Sequence, residues 1–203
     1  MPFKKLHPNI QEKLADLEII SPTPFQTRSI PVIKSGANVF CTASKNSGKT
    51  TTLILTTLHK LKYEAVENAP RAIVLVENKE RVLELYDAFL TYTKHSSLRV
   101  YVSYEQLHID LQKSEIFEGV DILISTPKTM NRLLLLNGLS TSQLKIFSID
   151  DAEFLVQKSS FNALMSITQS INKCQFVLYS EKMHPILKRL ESNFMEHSKK
   201  VTI

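Results

Sequence analysis

The order of apolar and polar residues along the chain alternates between two patterns. Short runs of consecutive apolar and β-branched residues recur, and each is followed by a stretch in which apolar residues return every three to four positions. Continuous apolar runs are typical of strands buried on both faces, whereas the longer repeat indicates amphipathic helices. The predicted strands cover residues 37–42, 71–76, 98–103, 120–125, 144–149 and 175–180, and a last short run predicts an edge strand at 199–203.

The predicted helices lie between these strands and cover residues 50–61, 79–93, 127–136, 161–171 and 184–194. This alternation predicts an α/β fold in which βαβ units build a mostly parallel sheet. No repeat or low-complexity linker divides the chain, so we predict a helical lead-in over 1–36 and one domain over 37–203. Ligands of such sheets bind at the carboxyl ends of the strands, which makes the residues after each strand the candidate site.

The amino-acid composition is compatible with many classes of globular protein. The hydrophobic content of 43% and charged content of 22% are ordinary for a globular protein. The 25 Lys and Arg against 20 Asp and Glu give a net charge of +5, which suits a polyanionic partner but is equally an ordinary surface charge. No apolar run reaches the ~20 residues of a membrane span. Cys41, Cys174 and the six histidines lack metal-ligand spacing, so we expect a cytoplasmic protein with reduced thiols, no zinc and no membrane contact.

A candidate phosphate loop follows the first predicted strand and opens the first predicted helix. Its residues, the candidate nucleotide contacts, are Ala43, Ser44, Lys45, Asn46, Ser47, Gly48, Lys49 and Thr50. In this strand, loop and helix context, backbone N–H groups face phosphates, Lys49 reaches the outer phosphates and the Thr50 hydroxyl binds Mg²⁺. The alternative is a helix start with a chance Gly-Lys-Thr. Asn46 tolerates a positive φ that glycine would otherwise supply, and Lys45 either adds a cation or points to solvent.

The loop and its surroundings resemble the first RecA-like domain of the DEAD-box ATP-dependent RNA helicases. Pro22-Thr-Pro-Phe-Gln26 resembles their Q motif, and Ala43 is what that family has in place of a first loop glycine. The resemblance continues in order over nearly the whole chain. It implies a three-layer RecA-like P-loop NTPase domain with ATP and Mg²⁺ as cofactors. It also implies that Gln26 reads adenine through its carboxamide and that Phe3 stacks on the base.

The stretch Ile149-Asp-Asp-Ala-Glu153 stands where the family has its DEAD motif. The resemblance assigns Asp150 to the metal and Asp151 to the attacking water, which makes Lys49, Asp150 and Asp151 the candidate catalytic residues. Asp151 is one methylene shorter than the family's glutamate, so we expect a misplaced base and slow hydrolysis. The alternative is a solvated acidic turn.

The stretch Tyr179-Ser-Glu-Lys182 stands where the family has its SAT motif, which couples nucleotide state to RNA unwinding. Ser180 is retained, whereas Lys182 replaces the threonine that would bond the last acid of DEAD. Since that acid is Glu153 here, we expect an ion pair between Lys182 and Glu153. These three residues are the candidate coupling residues.

Two further motifs resemble the PTRELA and TPGR motifs, which grip the RNA backbone in the family. They give four candidate RNA contacts, namely Lys79, Thr126, Pro127 and Lys128. Lys79 stands at the arginine of PTRELA, whereas in TPGR the glycine is lost and the arginine is lost too unless Lys128 substitutes for it. A lysine keeps the charge but lacks the bidentate grip of a guanidinium, so we expect weakened RNA binding. The alternative for Lys79 is a charged helix start. The family's double-glycine turn is absent from the sequence, and RNA as the partner rests on the resemblance alone.

The family closes a second RecA-like domain over ATP and RNA, and that domain supplies arginine fingers worth about 10³ to 10⁵ in rate. We find no second helicase domain in these residues, so we expect weak nucleotide binding, very slow hydrolysis and no unwinding by this chain alone. We expect the chain to be either a fragment of a longer helicase-like protein or a complete one-domain relative that does not unwind RNA. Two alternatives stay open: a catalytically impaired pseudo-helicase that acts as an interaction module, and an unrelated P-loop ATPase or small kinase.

Overall fold

Seven strands form the central sheet of the protein, for which a computed structural model describes residues 2–203. The strands are β1 Val39–Thr42, β2 Ala72–Leu75, β3 Val100–Ser103, β4 Ile122–Ser125, β5 Ile146–Ile149, β6 Gln175–Ser180 and β7 Lys199–Thr202. Their order in the sheet is β3-β4-β2-β5-β6-β1-β7, and every pairing is parallel. All seven predicted strands are confirmed, although most predicted starts lie one or two residues early.

Within residues 2–203, eight α-helices accompany the sheet. They are α1 Pro8–Asp16, α2 Pro24–Lys34, α3 Lys49–Lys60, α4 Lys79–Thr93, α5 Ile109–Glu118, α6 Pro127–Leu135, α7 Lys158–Gln169 and α8 Pro185–Lys188. The predicted helices at 50–61, 79–93, 127–136 and 161–171 are confirmed to within three residues at each end. The helix predicted at 184–194 is shorter, because α8 continues as the 3-10 turn Arg189–Ser192. Helix α5 is not part of the sequence prediction.

The sheet is buried on both faces, because successive side chains of a strand point to opposite sides. Val39 and Cys41 of β1 belong to the hydrophobic cluster under α1 to α4, whereas Phe40 belongs to the cluster under α5 to α8. The result is the predicted three-layer α/β arrangement. The lead-in residues Leu6 and Ile10 lie in the first cluster, so residues 1–36 contribute to the same core as the sheet.

A buried ionic cluster closes the amino ends of three neighbouring strands. Asp121 precedes β4 and accepts hydrogen bonds from Arg71 Nη2 at 2.7 Å and Arg99 Nε at 2.9 Å, which precede β2 and β3. Asp121 and Arg71 are 0% and 2% exposed. Burial alone would raise the pKa of Asp121, but the hydrogen bonds from Arg99 and Arg71 outweigh it and lower the pKa. This cluster therefore ties the strand starts together at the edge opposite the candidate site.

No helix among residues 2–203 combines the length and apolar character needed to cross a membrane. Cys41 is buried in the core and Cys174 is partly exposed, and both are free. Burial raises the pKa of both thiols, that of Cys174 to about 12, so neither is a nucleophile at neutral pH.

Candidate functional site

Most of the predicted site residues lie at one edge of the sheet, because the carboxyl ends of parallel strands meet there. A cavity of about 640 Å³ at this edge is lined by Lys45, Asn46, Gly48, Lys49, Thr50, Thr51, Arg81 and Asp151. A second cavity of about 680 Å³ is lined by residues such as Ile116, Phe117 and Leu139. It contains no predicted site residue, so the chemistry of the molecule concentrates in the first.

The phosphate loop has the backbone that its sequence predicts. Asn46 has a φ of 60° and Gly48 a φ of 93°, so both adopt left-handed conformations. Asparagine tolerates this region, as expected at Asn46. Gly48 is favoured because of its positive φ, and a Cβ atom there would lie 2.6 Å from Gln26 Nε2, so a larger residue would also displace the end of the Gln26 side chain. Helix α3 begins directly afterwards at Lys49 and presents its N-terminus to the cavity.

Lys49 and Thr50 line this cavity, and the buried Asp150 lies beside Thr50. Lys49 Nζ donates to the carbonyls of Ala43 at 2.8 Å and Ser44 at 3.0 Å. The Thr50 hydroxyl lies 3.4 Å from Asp150 Oδ2, across 100 residues of sequence. Burial, with the nearby negative charge of Asp151, raises the pKa of Asp150 to about 6. The buried carboxylate is thus held beside the loop that would carry the phosphates.

The donor set at this position fits a magnesium ion. Asp150 Oδ1 is buried and has no hydrogen-bond partner among the described residues, and the Thr50 hydroxyl lies close to the same carboxylate. Within residues 2–203, no group of three His, Cys, Asp or Glu side chains could hold a metal by itself. Mg²⁺ commonly uses one or two carboxylates and completes its shell with water and substrate phosphates. Asp150 and Thr50 are therefore the residues that would hold it.

Arg81 is a site residue that the sequence reasoning missed. It lies in the first turn of α4, and its Nη2 atom is 2.9 Å from Asp151 Oδ2 and 3.3 Å from Asp150 Oδ2. Burial alone would lower the pKa of Arg81, but Glu84 and the two aspartates raise it on balance. Strand β2, which precedes Arg81, lies next to β5 in the sheet, and this neighbourhood brings Arg81 to the acids. The sequence shows Arg81 only as a basic residue shortly after a predicted strand, which does not indicate a contact with the two aspartates.

The Q motif is joined to the phosphate loop by hydrogen bonds. Thr23 caps α2 by accepting from Gln26 N, and Gln26 Oε1 accepts from Thr23 N, which together form a capping box. Thr23 Oγ1 donates to Ser47 O at 2.7 Å, and Gln26 Nε2 lies 3.5 Å from Gly48 O. Gln26 thus reaches the loop. Phe3 does not line the cavity, because it is 7% exposed and packs in the core, so the structure does not support base stacking by Phe3.

The candidate coupling residues are brought together, but by different bonds from those expected. The carboxylate of Glu153 accepts from the backbone N–H groups of Glu181 and Lys182. Among the described residues no ion pair forms between the Lys182 ammonium and Glu153, so the expected pairing is wrong. Backbone donors already satisfy the carboxylate, which leaves the Lys182 side chain exposed. Ser180 is buried at the end of β6, and its carbonyl accepts from Ala43 N at 3.1 Å.

The candidate RNA contacts lie at the ends of β2 and β4, beside the loop after β3. Lys79 Nζ lies 5.5 Å from the centre of the Tyr104 ring, a cation–π contact. Thr126 and Pro127 are buried, whereas Lys128 is exposed. The Thr126 hydroxyl donates to Glu105 Oε1 at 3.1 Å, which places a carboxylate beside the expected phosphate contact. Two lysines attract a polyanion here, and one acid opposes it.

Comparisons with known proteins give a consistent set of matches. The family model described as DEAD/DEAH box helicase matches residues 23–183. The ATP-dependent RNA helicase DeaD of Buchnera aphidicola subsp. Acyrthosiphon pisum is 27% identical over 203 residues, which are 99% of this chain and 33% of that protein. The DeaD helicase of Escherichia coli (strain K12) is 28% identical over 196 residues, which are 96% of this chain and 31% of that protein.

Solved structures show the same fold. A DEAD box protein from Methanococcus jannaschii superposes on this chain with a TM-score of 0.89 at 20% sequence identity. The match covers 98% of this chain and 54% of the Methanococcus jannaschii chain. The yeast DEAD-box splicing factor Prp28 superposes with a TM-score of 0.84 at 20% sequence identity. The match covers 98% of this chain and 50% of the Prp28 chain. The chain spans about a third of the length of the curated relatives it matches.

Proposed function

The chain belongs to the DEAD/DEAH box helicase family, and we propose that it binds ATP with Mg²⁺ in the cavity at the carboxyl edge and contacts RNA beside it. In this proposal it is one half of an RNA-dependent ATPase, completed by a second RecA-like domain or a partner protein. Because ATP and RNA are found inside cells and Cys41 is a free thiol, we place this activity in the cytoplasm.

The observation that carries the proposal is the approach of Thr50 to Asp150. A phosphate loop followed by a threonine, with a buried carboxylate 3.4 Å from its hydroxyl, is the arrangement that a nucleotide with Mg²⁺ requires. Both residues follow parallel strands, and Lys49 lies beside them with its ammonium at the cavity wall. A structural helix start would need neither the carboxylate nor the lysine.

The residues around the cavity would divide the work of phosphoryl transfer. The N-terminus of α3 and the Lys49 ammonium would stabilise negative charge on the outer phosphates. Mg²⁺ held by Thr50 and Asp150 would supply charge neutralisation between the phosphates. Asp151 would orient water, but its Oδ2 is occupied by Arg81 at 2.9 Å. We therefore expect slow hydrolysis from this chain alone.

The RNA surface in this proposal is made by Lys79, which follows β2, and by Thr126 and Lys128, which follow the neighbouring strand β4. Lys128 is exposed and Lys79 is partly exposed, so both can reach a phosphate. Glu105 lowers the positive potential at the centre of this surface. The expected affinity for RNA is accordingly modest and strongly salt-dependent.

Titration with a fluorescent ATP analogue and Mg²⁺ tests the nucleotide proposal. We expect saturable binding that Lys49→Ala weakens by about tenfold or more, equivalent to about 1.4 kcal/mol. Lys94→Ala is the matched control, because Lys94 is an exposed lysine at the far end of α4. Absence of binding by the unaltered chain at about millimolar nucleotide would contradict the proposal.

ATPase assays with and without RNA test turnover. RNA-stimulated hydrolysis that disappears in Asp150→Asn would support an active half-enzyme. Binding without any turnover, even when a second RecA-like domain is added, would favour the alternative of a non-catalytic interaction module.

A further inference from the structure

Arg81 is held in place at the rim of the nucleotide cavity. Its backbone N–H donates to the side chain of Asn78, the residue that caps α4, at 3.0 Å. Its Nη1 atom is 2.7 Å from Glu84 Oε2, one helical turn further along. Its Nη2 atom then contacts Asp150 and Asp151 together. The Asn78 contact therefore fixes the backbone of Arg81, and the Glu84 contact holds its guanidinium from the same helix while it faces both acids.

The position of Arg81 is a departure from the PTRELA pattern. Lys79 and Glu80 stand at the arginine and glutamate of that motif, so Arg81 stands at its leucine. An apolar side chain there would give the two aspartates no counter-ion from α4. Asp151 adopts a left-handed backbone with a φ of 46°, and in this conformation its carboxylate accepts from Arg81. The motif has an apolar leucine at this position, whereas this chain has a charged arginine.

Among the charged groups around the cavity, Lys45 pairs with Glu181 and Arg81 contacts both Asp150 and Asp151. Lys49 donates to two backbone carbonyls and forms no ion pair among the described residues. Without Arg81, the two aspartates would outnumber Lys49, and approaching phosphates would meet a net negative charge. Repulsion between such charges at close range in a partly buried site is costly unless a cation intervenes. Arg81 supplies that cation from within the protein.

We propose that Arg81 acts as a built-in counter-ion of Asp150 and Asp151, so that the cavity binds nucleotide phosphates without Mg²⁺. This inference rests on the proposed function, since it assumes that the cavity binds ATP. The guanidinium also offers N–H donors to phosphate oxygens in a planar arrangement, which a bare acidic pair cannot. Mg²⁺ therefore changes the affinity for nucleotide little, even where it is needed for hydrolysis.

The test compares the dissociation constant of the fluorescent ATP analogue in excess EDTA and in excess Mg²⁺, using the full chain. For the unaltered protein we expect the two constants to agree within about threefold. Arg81→Leu should weaken binding in EDTA by about tenfold or more and change binding in Mg²⁺ by less than about threefold. Arg132→Leu is the matched control, because it removes an exposed arginine of α6 that does not line the cavity.

A second neutral variant, Arg81→Gln, keeps a hydrogen-bond donor for the acids and covers the case in which Arg81→Leu does not fold. It should show the same loss in EDTA. If the unaltered protein binds in Mg²⁺ but loses binding in EDTA, the inference is overturned and the proposed function stands. Unchanged EDTA binding in a folded neutral variant also overturns the inference. Binding in neither condition overturns both.

Discussion

The ammonium group of Lys45 lies 3.6 Å from the carboxylate of Glu181. Lys45 belongs to the phosphate loop after β1, and Glu181 follows β6, the neighbouring strand. Glu181 stands at the alanine of the SAT motif that the chain resembles, and Lys45 is the loop lysine expected either to add a cation or to point to solvent. Two residues that look unrelated in the sequence are therefore partners in the structure. Since Lys45 is 82% exposed, the pair contributes little to stability and acts mainly on the charge at the cavity rim.

Replacing Glu181 with Gln should tighten nucleotide binding by about two- to fivefold at low ionic strength, because Lys45 loses its counter-ion beside the cavity. Titration of the fluorescent nucleotide at low salt and at about 1 M salt measures the effect. Glu191→Gln is the control, because Glu191 pairs with Lys200 and does not line the cavity. A gain that persists at high salt would argue against an electrostatic origin.

Replacing Glu105 with Gln should strengthen binding of single-stranded RNA by a few-fold, because the acid next to Thr126 is then neutral. Lys128→Ala should weaken binding and reduce the slope of log affinity against log salt by about 0.7, the value for one phosphate contact with a single strand. Fluorescence anisotropy over a salt series gives both quantities. Glu118→Gln, an exposed acid at the end of α5, should change neither.

Asp121→Asn should lower the free energy of unfolding by about 3 kcal/mol, because the buried guanidinium of Arg71 is left without its negative partner. Urea denaturation followed by circular dichroism measures the change. Asp110→Asn, at an exposed position, is the control and should cost less than about 0.5 kcal/mol. Equal losses in the two variants would show that the ionic cluster is not a special source of stability.

The same cluster predicts a pH dependence of stability. The pKa of Asp121 is lowered from an ordinary value of 3.8, so the unfolded chain binds this proton more readily than the folded one. The contribution of Asp121 is therefore fully present above about pH 4 and is lost as the pH falls through the lowered value. The difference in unfolding free energy between the unaltered protein and Asp121→Asn should shrink below about pH 4. A difference that grows with acid would contradict this sign.

The fold could be predicted from the sequence because the strands are short, apolar and separated by helical repeats. Most predicted strands begin one or two residues before the observed ones, as at β3, where the preceding backbone N–H groups donate to side chains instead of to a neighbouring strand. Arg99 N, for example, donates to the Asp121 side chain at 3.0 Å. Helix α5 was missed because only Gln112 and Ile116 are buried on it, while Leu111 and Phe117 are exposed, so its apolar residues do not form one stripe.

The site was predictable only where a residue follows a recognisable motif. Asn46 and Thr50 follow from the phosphate loop, and the structure places Asp150 beside them. Arg81 could not be predicted, because its contacts depend on β2 lying next to β5, and strand order is not written in the local pattern. The hydrogen bonds from backbone N–H groups to Glu153 could not be predicted for a related reason, since almost every residue type has a backbone N–H group.

The hydrogen bond from Thr23 to Ser47 joins the start of α2 to the phosphate loop, so we expect the two segments to open together. The same threonine caps the helix, and the neighbouring Gln26 fills the space above Gly48. Fraying of the lead-in therefore releases the loop amides together with the helix amides, and both should exchange with solvent deuterium at a common rate. The stability of the lead-in is thus expected to set the lifetime of the hydrogen-bonded phosphate loop.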